Sequence, residues 1–108
     1  MSRDYVWSKG DTKPAVKGTA KDENGAIDLS GSEVKFYMRN EETGKMKVDG
    51  AVATITDAAN GKVEYSWQQG DTDEVGLFEV WFVATYSDGE ITIPNAGNKP
   101  IEITERGK

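Results

Sequence analysis

Apolar and polar residues alternate with a period of two along most of the chain. In EVKFYMRN (33–40), Val34, Phe36 and Met38 fall on one side and Lys35, Tyr37 and Arg39 on the other, the pattern of a half-buried strand. KVEYSWQQ (62–69) repeats it, with Val63, Tyr65 and Trp67 opposite Lys62, Glu64, Ser66 and Gln68. No window sustains apolar residues at helical spacing, so the elements expected are strands.

Turn chemistry separates these runs. DYVWSK reads as a short first strand, GDTKP turns the chain with Pro14 fixing φ, AVKGTAKD is a second strand and ENGAIDLSGS a longer connection. After the third strand, EETGK is a hairpin loop with Gly44 expected at positive φ. MKVDGAVATITD follows, bent or bulged at Gly50. AANG leads into KVEYSWQQ, GDTDEVGLFEVWF runs on through EVWFVATYSDG, SDG turns, and EITIP leads back. NAGNK interrupts this last strand before PIEITERGK, and Pro94 and Pro100 suit an edge or a break. GDT occurs twice, from Gly10 and from Gly70, in surroundings too different to read as a repeat. Strands every eight to twelve residues or so, with turns between them, predict an all-β sandwich or small barrel.

The stretch GDTDEVGLFEVWF (70–82) narrows that choice. Its acidic residues, Gly76, Phe78 and Val80 resemble the corner at which an immunoglobulin-type sandwich enters its sixth strand, where tyrosine and cysteine occupy the last two positions. The expected fold is an all-β, immunoglobulin-like antiparallel β-sandwich of about seven strands with no disulfide, a single domain over residues 1–108. Phe78 lacks the hydroxyl of that tyrosine, but its ring fills the same volume, and aromatic burial, on the order of 2–3 kcal/mol, is the larger contribution. The missing cross-link costs roughly 2–5 kcal/mol in domains that evolved with one. Dense packing of Phe36, Met38, Tyr65, Trp67, Phe78 and Phe82 is expected to offset it.

Parity then assigns the faces. With Phe78, Val80, Phe82 and Ala84 inward, Leu77, Trp81 and Val83 must point the other way. An antiparallel strand normally alternates apolar with polar; this one is apolar on both faces. Either a loop or the first strand covers Leu77, Trp81 and Val83, or they form a contact surface for another chain, extended by Tyr37.

Composition removes most catalytic designs. The 108 residues include no cysteine and no histidine. Disulfides, thiol nucleophiles, thiolate metal sites and imidazole bases are therefore absent. The formal net charge is −6, and no run of Lys or Arg appears, so neither a nucleic acid nor an anionic membrane is an expected partner. The chain contains no apolar stretch of membrane-spanning length and starts without the apolar core of a secretory signal, which points to synthesis and use in the cytosol or assembly there.

The remaining chemistry rests on carboxylates and aromatics. Asp22, Glu23, Asp28, Asp57, Asp88 and Glu90 fall in connections that cluster at one end of a seven-strand sandwich. Such oxygens suit Ca²⁺, but no loop carries the regular spacing of a calcium loop, and a solvated acidic rim is the plainer reading. A glycosidase pair would need a cleft that such short loops do not form. Trp7, Trp67, Trp81, Tyr5 and Tyr37 are candidates for stacking on sugars, against the alternative that they are core or interface. GDTDEVG has no P-loop lysine, and no arrangement activates a serine or threonine. No enzyme activity and no cofactor are expected.

One resemblance covers about residues 8–104. The pieces DLSGSEVKFYMR, GKVEYSW and GDTDEVGLFEVWF, followed by TIPN, are similar in order and spacing to the immunoglobulin-like domain at the N-terminus of phage upper baseplate proteins. The resemblance implies a non-enzymatic virion protein, assembled in the reducing bacterial cytoplasm, whose partners are other phage virion proteins. In baseplate proteins a longer receptor-binding region follows, whereas this chain ends at Lys108. The receptor-binding role is therefore not carried over, and a tail accessory, adaptor or capsid decoration protein is expected. Leu77, Trp81, Val83 and Tyr37 are the expected partner contacts. The alternative is a carbohydrate-binding or adhesion module; self-association and weak glycan binding are further options.

Overall fold

The computed structural model describes residues 6–94 and 100–105. Among these the regular elements are all strands: β1 (Val6–Ser8), β2 (Val16–Thr19), β3 (Lys21–Asp22), β4 (Gly25–Ala26), β5 (Glu33–Asn40), β6 (Met46–Val52), β7 (Thr54–Asp57), β8 (Lys62–Tyr65), β9 (Gly76–Tyr86), β10 (Gly89–Pro94) and β11 (Ile101–Thr104). The long β9 is the spine of the larger sheet. On one side it pairs with β5, from Glu33↔Thr85 to Asn40↔Phe78. On the other, β10 and β11 share it. β6 lies beyond β5 and β1 beyond β11, while β2, β8 and β7 form a second sheet and β3 and β4 a small hairpin.

The expected seven strands are thus subdivided, and the described residues form three sheets. AVKGTAKD breaks at Ala20, whose amide donates to Gly61 O at 2.7 Å; Lys21 and Asp22 then pair with Ala26 and Gly25 instead of extending β2. MKVDGAVATITD divides at Ala53, which donates to Val34 O at 3.0 Å. Beyond that point the chain leaves the large sheet and β7 pairs with β8. The final strand is split into β10 and β11; NAGNK, the expected interruption, lies outside the described residues. The arrangement is also not wholly antiparallel, because β1 runs parallel to β11. A parallel pair needs a long crossover, and here nearly the whole chain supplies it.

Two glycines behave as their positions require. Gly44 turns the β5–β6 loop at φ 76°, and Gly50 stands at φ 88°. Phe36 pairs with Ala51 and Tyr37 with Asp49, so Gly50 is the extra residue of a bulge.

The two GDT segments form the same turn. Ser8 O accepts from Asp11 N at 2.9 Å, and Gln68 O from Asp71 N at 3.1 Å. In return each aspartate accepts the opposite amide, Ser8 N on Asp11 Oδ2 and Gln68 N on Asp71 Oδ2, both at 2.8 Å. The turns also meet: Gly10 N donates to Thr72 O at 2.9 Å, and the buried Thr72 hydroxyl donates to Asp11 O at 2.7 Å. The recurrence in the sequence is therefore a shared local structure, clasping the β1–β2 and β8–β9 connections together.

The core between the two larger sheets is aromatic. Phe36 stacks on Tyr65 across the layers, centroids 4.2 Å apart and planes 8° from parallel. It also meets the edge of Trp67 at 5.9 Å and tilts against Phe82 at 5.2 Å. Trp7 stands edge-on to Trp67 at 5.5 Å and donates its indole N–H to Pro14 O at 2.8 Å. Met38, Leu29, Phe78, Val80, Ala84, Ile101 and Ile103 join the same buried cluster. All six residues expected to replace the disulfide's contribution are buried, and the inward set of Phe78, Val80, Phe82 and Ala84 is as parity requires.

Candidate functional site

Cross-strand register places the four expected contact residues on one surface, the outer face of the large sheet. Tyr37 is opposite Trp81, and Lys35 is opposite Val83. Leu77 is opposite Glu102 on β11. Cross-strand partners share a face, so this face also receives Val52 beside Lys35, Asp49 beside Tyr37 and Met46 beside Arg39. β1 adds Val6 beside Glu102. The Tyr37 and Trp81 rings stack 5.7 Å apart, 9° from parallel. Trp81 and Val83 are half-buried, whereas Leu77 is 38 % and Val52 76 % exposed. β1 lies beside β11 at the sheet edge, which removes the first strand as a cover for this face.

Val52, Met46 and Val6 were not expected there. Alternation fails as a guide along β6 because two register shifts interrupt it, one on each side of Val48. With an extra residue in each bulge, Met46, Asp49 and Val52 all face outward, three residues apart. Gly50 signalled one bulge in the sequence; nothing signalled the other.

Charge surrounds the apolar centre. Arg39 donates to Glu79 Oε1 from Nε at 3.2 Å and from Nη2 at 2.5 Å, while its guanidinium carbon lies 5.6 Å from the Trp81 ring centroid. The Trp81 ring thus has both a cation and the Tyr37 ring within interaction distance. Lys35 reaches Glu33 at 3.9 Å. Asp49, Glu90 and Glu102 add further carboxylates by register, so acids outnumber bases on this face. Next to Leu77 an open groove of about 560 Å³ is bordered by Glu41, Glu42, Glu74 and Glu102. The acidic border continues where Lys47 bridges to Asp73 at 2.5 Å and Glu74 at 3.8 Å; the Lys47 ammonium holds the Asp73 pKa below the usual carboxylate value.

The other candidate chemistry is dispersed. Among the described residues no group of three or more carboxylates is placed to hold a metal ion, so Asp22, Glu23, Asp28, Asp57, Asp88 and Glu90 do not converge as a calcium site. Several serve local turns instead: Asp22 accepts from Asn24 N, Asp28 from Ser30 N and Asp57 from the Asn60 amide group. The Ser30 hydrogen bonds lower the Asp28 pKa. Trp7 and Trp67 are each 4 % exposed and belong to the core, which removes them as sugar-stacking candidates. Tyr5 lies outside the described residues. Tyr37 and Trp81 are the members of that set left at the surface. No described helix is long and apolar enough to cross a membrane.

No protein-family model matches the chain, and a search of curated proteins finds none similar to it.

Proposed function

We propose that this is a non-enzymatic structural protein of a phage virion that docks on a neighbouring virion subunit through the outer face of its large sheet. The observation that carries the docking reading is the outward-facing Tyr37–Trp81 stack, with exposed Val52 and Leu77 on the same face. Exposed aromatic and aliphatic side chains grouped on one face with charged neighbours are the anatomy of an interaction site. The partner presents an apolar centre with a basic rim, complementary to the excess of carboxylates. Its role is that of a tail or baseplate accessory, an adaptor or a capsid decoration protein.

The framework is read as immunoglobulin-like. The order β2-β8-β7 corresponds to the B-E-D sheet, and β6-β5-β9 with the divided β10/β11 to C′-C-F-G. The phage assignment rests on the resemblance of DLSGSEVKFYMR, GKVEYSW and GDTDEVGLFEVWF to baseplate domains. The absence of cysteine suits assembly in a reducing cytoplasm.

Electron microscopy of particles prepared with and without the protein tests this reading. A difference density at symmetry-related positions, with the large sheet turned toward its neighbour, supports it; identical reconstructions oppose it. A carbohydrate-binding module is the second reading, favoured by the surface position of the Tyr37–Trp81 rings. Because Trp7 and Trp67 are buried, a fluorescence shift on a glycan panel would report Trp81.

A further inference from the structure

The chain contains Asn24–Gly25 and Asn60–Gly61, two copies of the dipeptide in which a backbone amide is least shielded from the preceding carboxamide. We infer that the fold makes Asn24 a site of succinimide-mediated deamidation and protects Asn60. In this reaction the Gly25 backbone nitrogen attacks Cγ of Asn24 and gives up its proton to solvent base. The new C–N bond closes a five-membered imide, the bond from Cγ to Nδ2 breaks, and ammonia leaves. Water then opens the imide at either carbonyl, leaving an aspartyl or isoaspartyl residue at position 24. The net change is amide plus water to carboxylate plus ammonium, so no oxidant or cofactor is needed.

At both sites the attacking amide is already hydrogen-bonded, Gly25 through its pairing with Asp22 in the β3–β4 ladder, and the sites differ in what else ring closure must break. Asn24 is exposed at the tip of the β3–β4 hairpin, and among the described residues its carboxamide has no hydrogen-bond partner; only its backbone N–H is engaged, by Asp22 Oδ1 at 2.8 Å. A side chain built on Gly25 would meet nothing within 4 Å, so the hairpin has room for the ring and for the longer isoaspartyl backbone. At the second site the Asn60 amide group donates to Asp57 Oδ2 at 2.8 Å, and the attacking nitrogen of Gly61 donates to Ala58 O at 3.1 Å. Gly61 is buried, with Ile27 O 2.8 Å from where a Cβ would stand and Ala20 O closer still. Ring closure there must also break the carboxamide's hydrogen bond and lengthen the backbone inside a packed turn rather than at an exposed hairpin tip, a difference of roughly ten-fold or more in rate.

The test is incubation of the full chain at mildly alkaline pH, followed by peptide mapping and isoaspartyl-specific methylation. The expected result is conversion at position 24 at least about ten-fold faster than at position 60, with the two rates converging in denaturant, where the fold no longer protects. Asn24→Gln should remove the position-24 product and leave position 60 unchanged. Equal rates at the two sites in the folded protein, or an unequal ratio that persists in denaturant, would overturn the inference. The outcome is independent of the docking face, which contains neither residue.

Discussion

The hydroxyl of Tyr65 donates a 2.5 Å hydrogen bond to Asp71, a carboxylate that also accepts the Gln68 amide. Phe78 cannot tie the β8–β9 connection, and Tyr65 supplies a tie from the opposite sheet. Tyr65→Phe keeps the ring stacked on Phe36 and removes only this bond. Urea denaturation should show a loss of roughly 1.5–3 kcal/mol, the range for a hydrogen bond to a charged partner. A loss near zero would mean the bond is not held in solution.

The same residue gives the protein an alkaline limit. Burial, and then the hydrogen bond to Asp71, raise the Tyr65 pKa above its ordinary value of 10.0. A group whose pKa is raised by folding stabilises fully below its unfolded pKa and loses that contribution as pH climbs above it. Stability should therefore decline from about pH 10 upward, and Tyr65→Phe should flatten that decline. Thermal melts across this range compare the slopes.

Two glycines separate backbone strain from steric conflict. Gly44 has φ 76°, with nothing within 4 Å of where a Cβ would stand, so Gly44→Ala should cost only the left-handed penalty, roughly 1–2 kcal/mol. Gly61 has φ 68° and faces the Ala20 and Ile27 carbonyls. Gly61→Ala should cost that penalty and roughly 1–3 kcal/mol more for the overlap. Denaturation midpoints of the two variants, compared directly, check the ordering.

Phe78→Ala empties a fully buried site and should cost roughly 3–5 kcal/mol. Chemical denaturation measures it, and a loss below about 1 kcal/mol would take Phe78 out of the core.

Asp73 tests the acidic border. Lys47 lowers its pKa, so it stays ionised to lower pH than an ordinary aspartate, and its stabilising contribution is lost as pH falls through that lowered value. In Lys47→Met the Asp73 carboxyl should titrate at higher pH, closer to its ordinary range. Carboxyl NMR titration of the two proteins shows the shift, which salt should shrink.

Much of this was legible in the sequence because alternation along β5, β8 and β9 is unbroken. Val34, Phe36, Met38, Val63, Tyr65, Phe78 and Phe82 followed directly from it, as did the outward placement of Tyr37, Trp81 and Val83. Where a backbone irregularity interrupts the period, alternation no longer assigns the faces. The bulges of β6 hid Met46 and Val52, and the break at Ala20 hid the β3–β4 hairpin. Long-range pairing was equally silent: nothing local to Val6–Ser8 indicates a parallel partner at Glu102–Thr104. The pairing of the two GDT turns also depends on their meeting in space.

Trp81→Asp is the most direct test of the docking face, read as co-sedimentation with purified virions beside a thermal melt. Val52→Glu accompanies it, because a residue 76 % exposed can be charged with little effect on folding. Both variants should remain folded, and both should lose virion association. Folded variants that sediment with virions like the parent protein would contradict the docking reading.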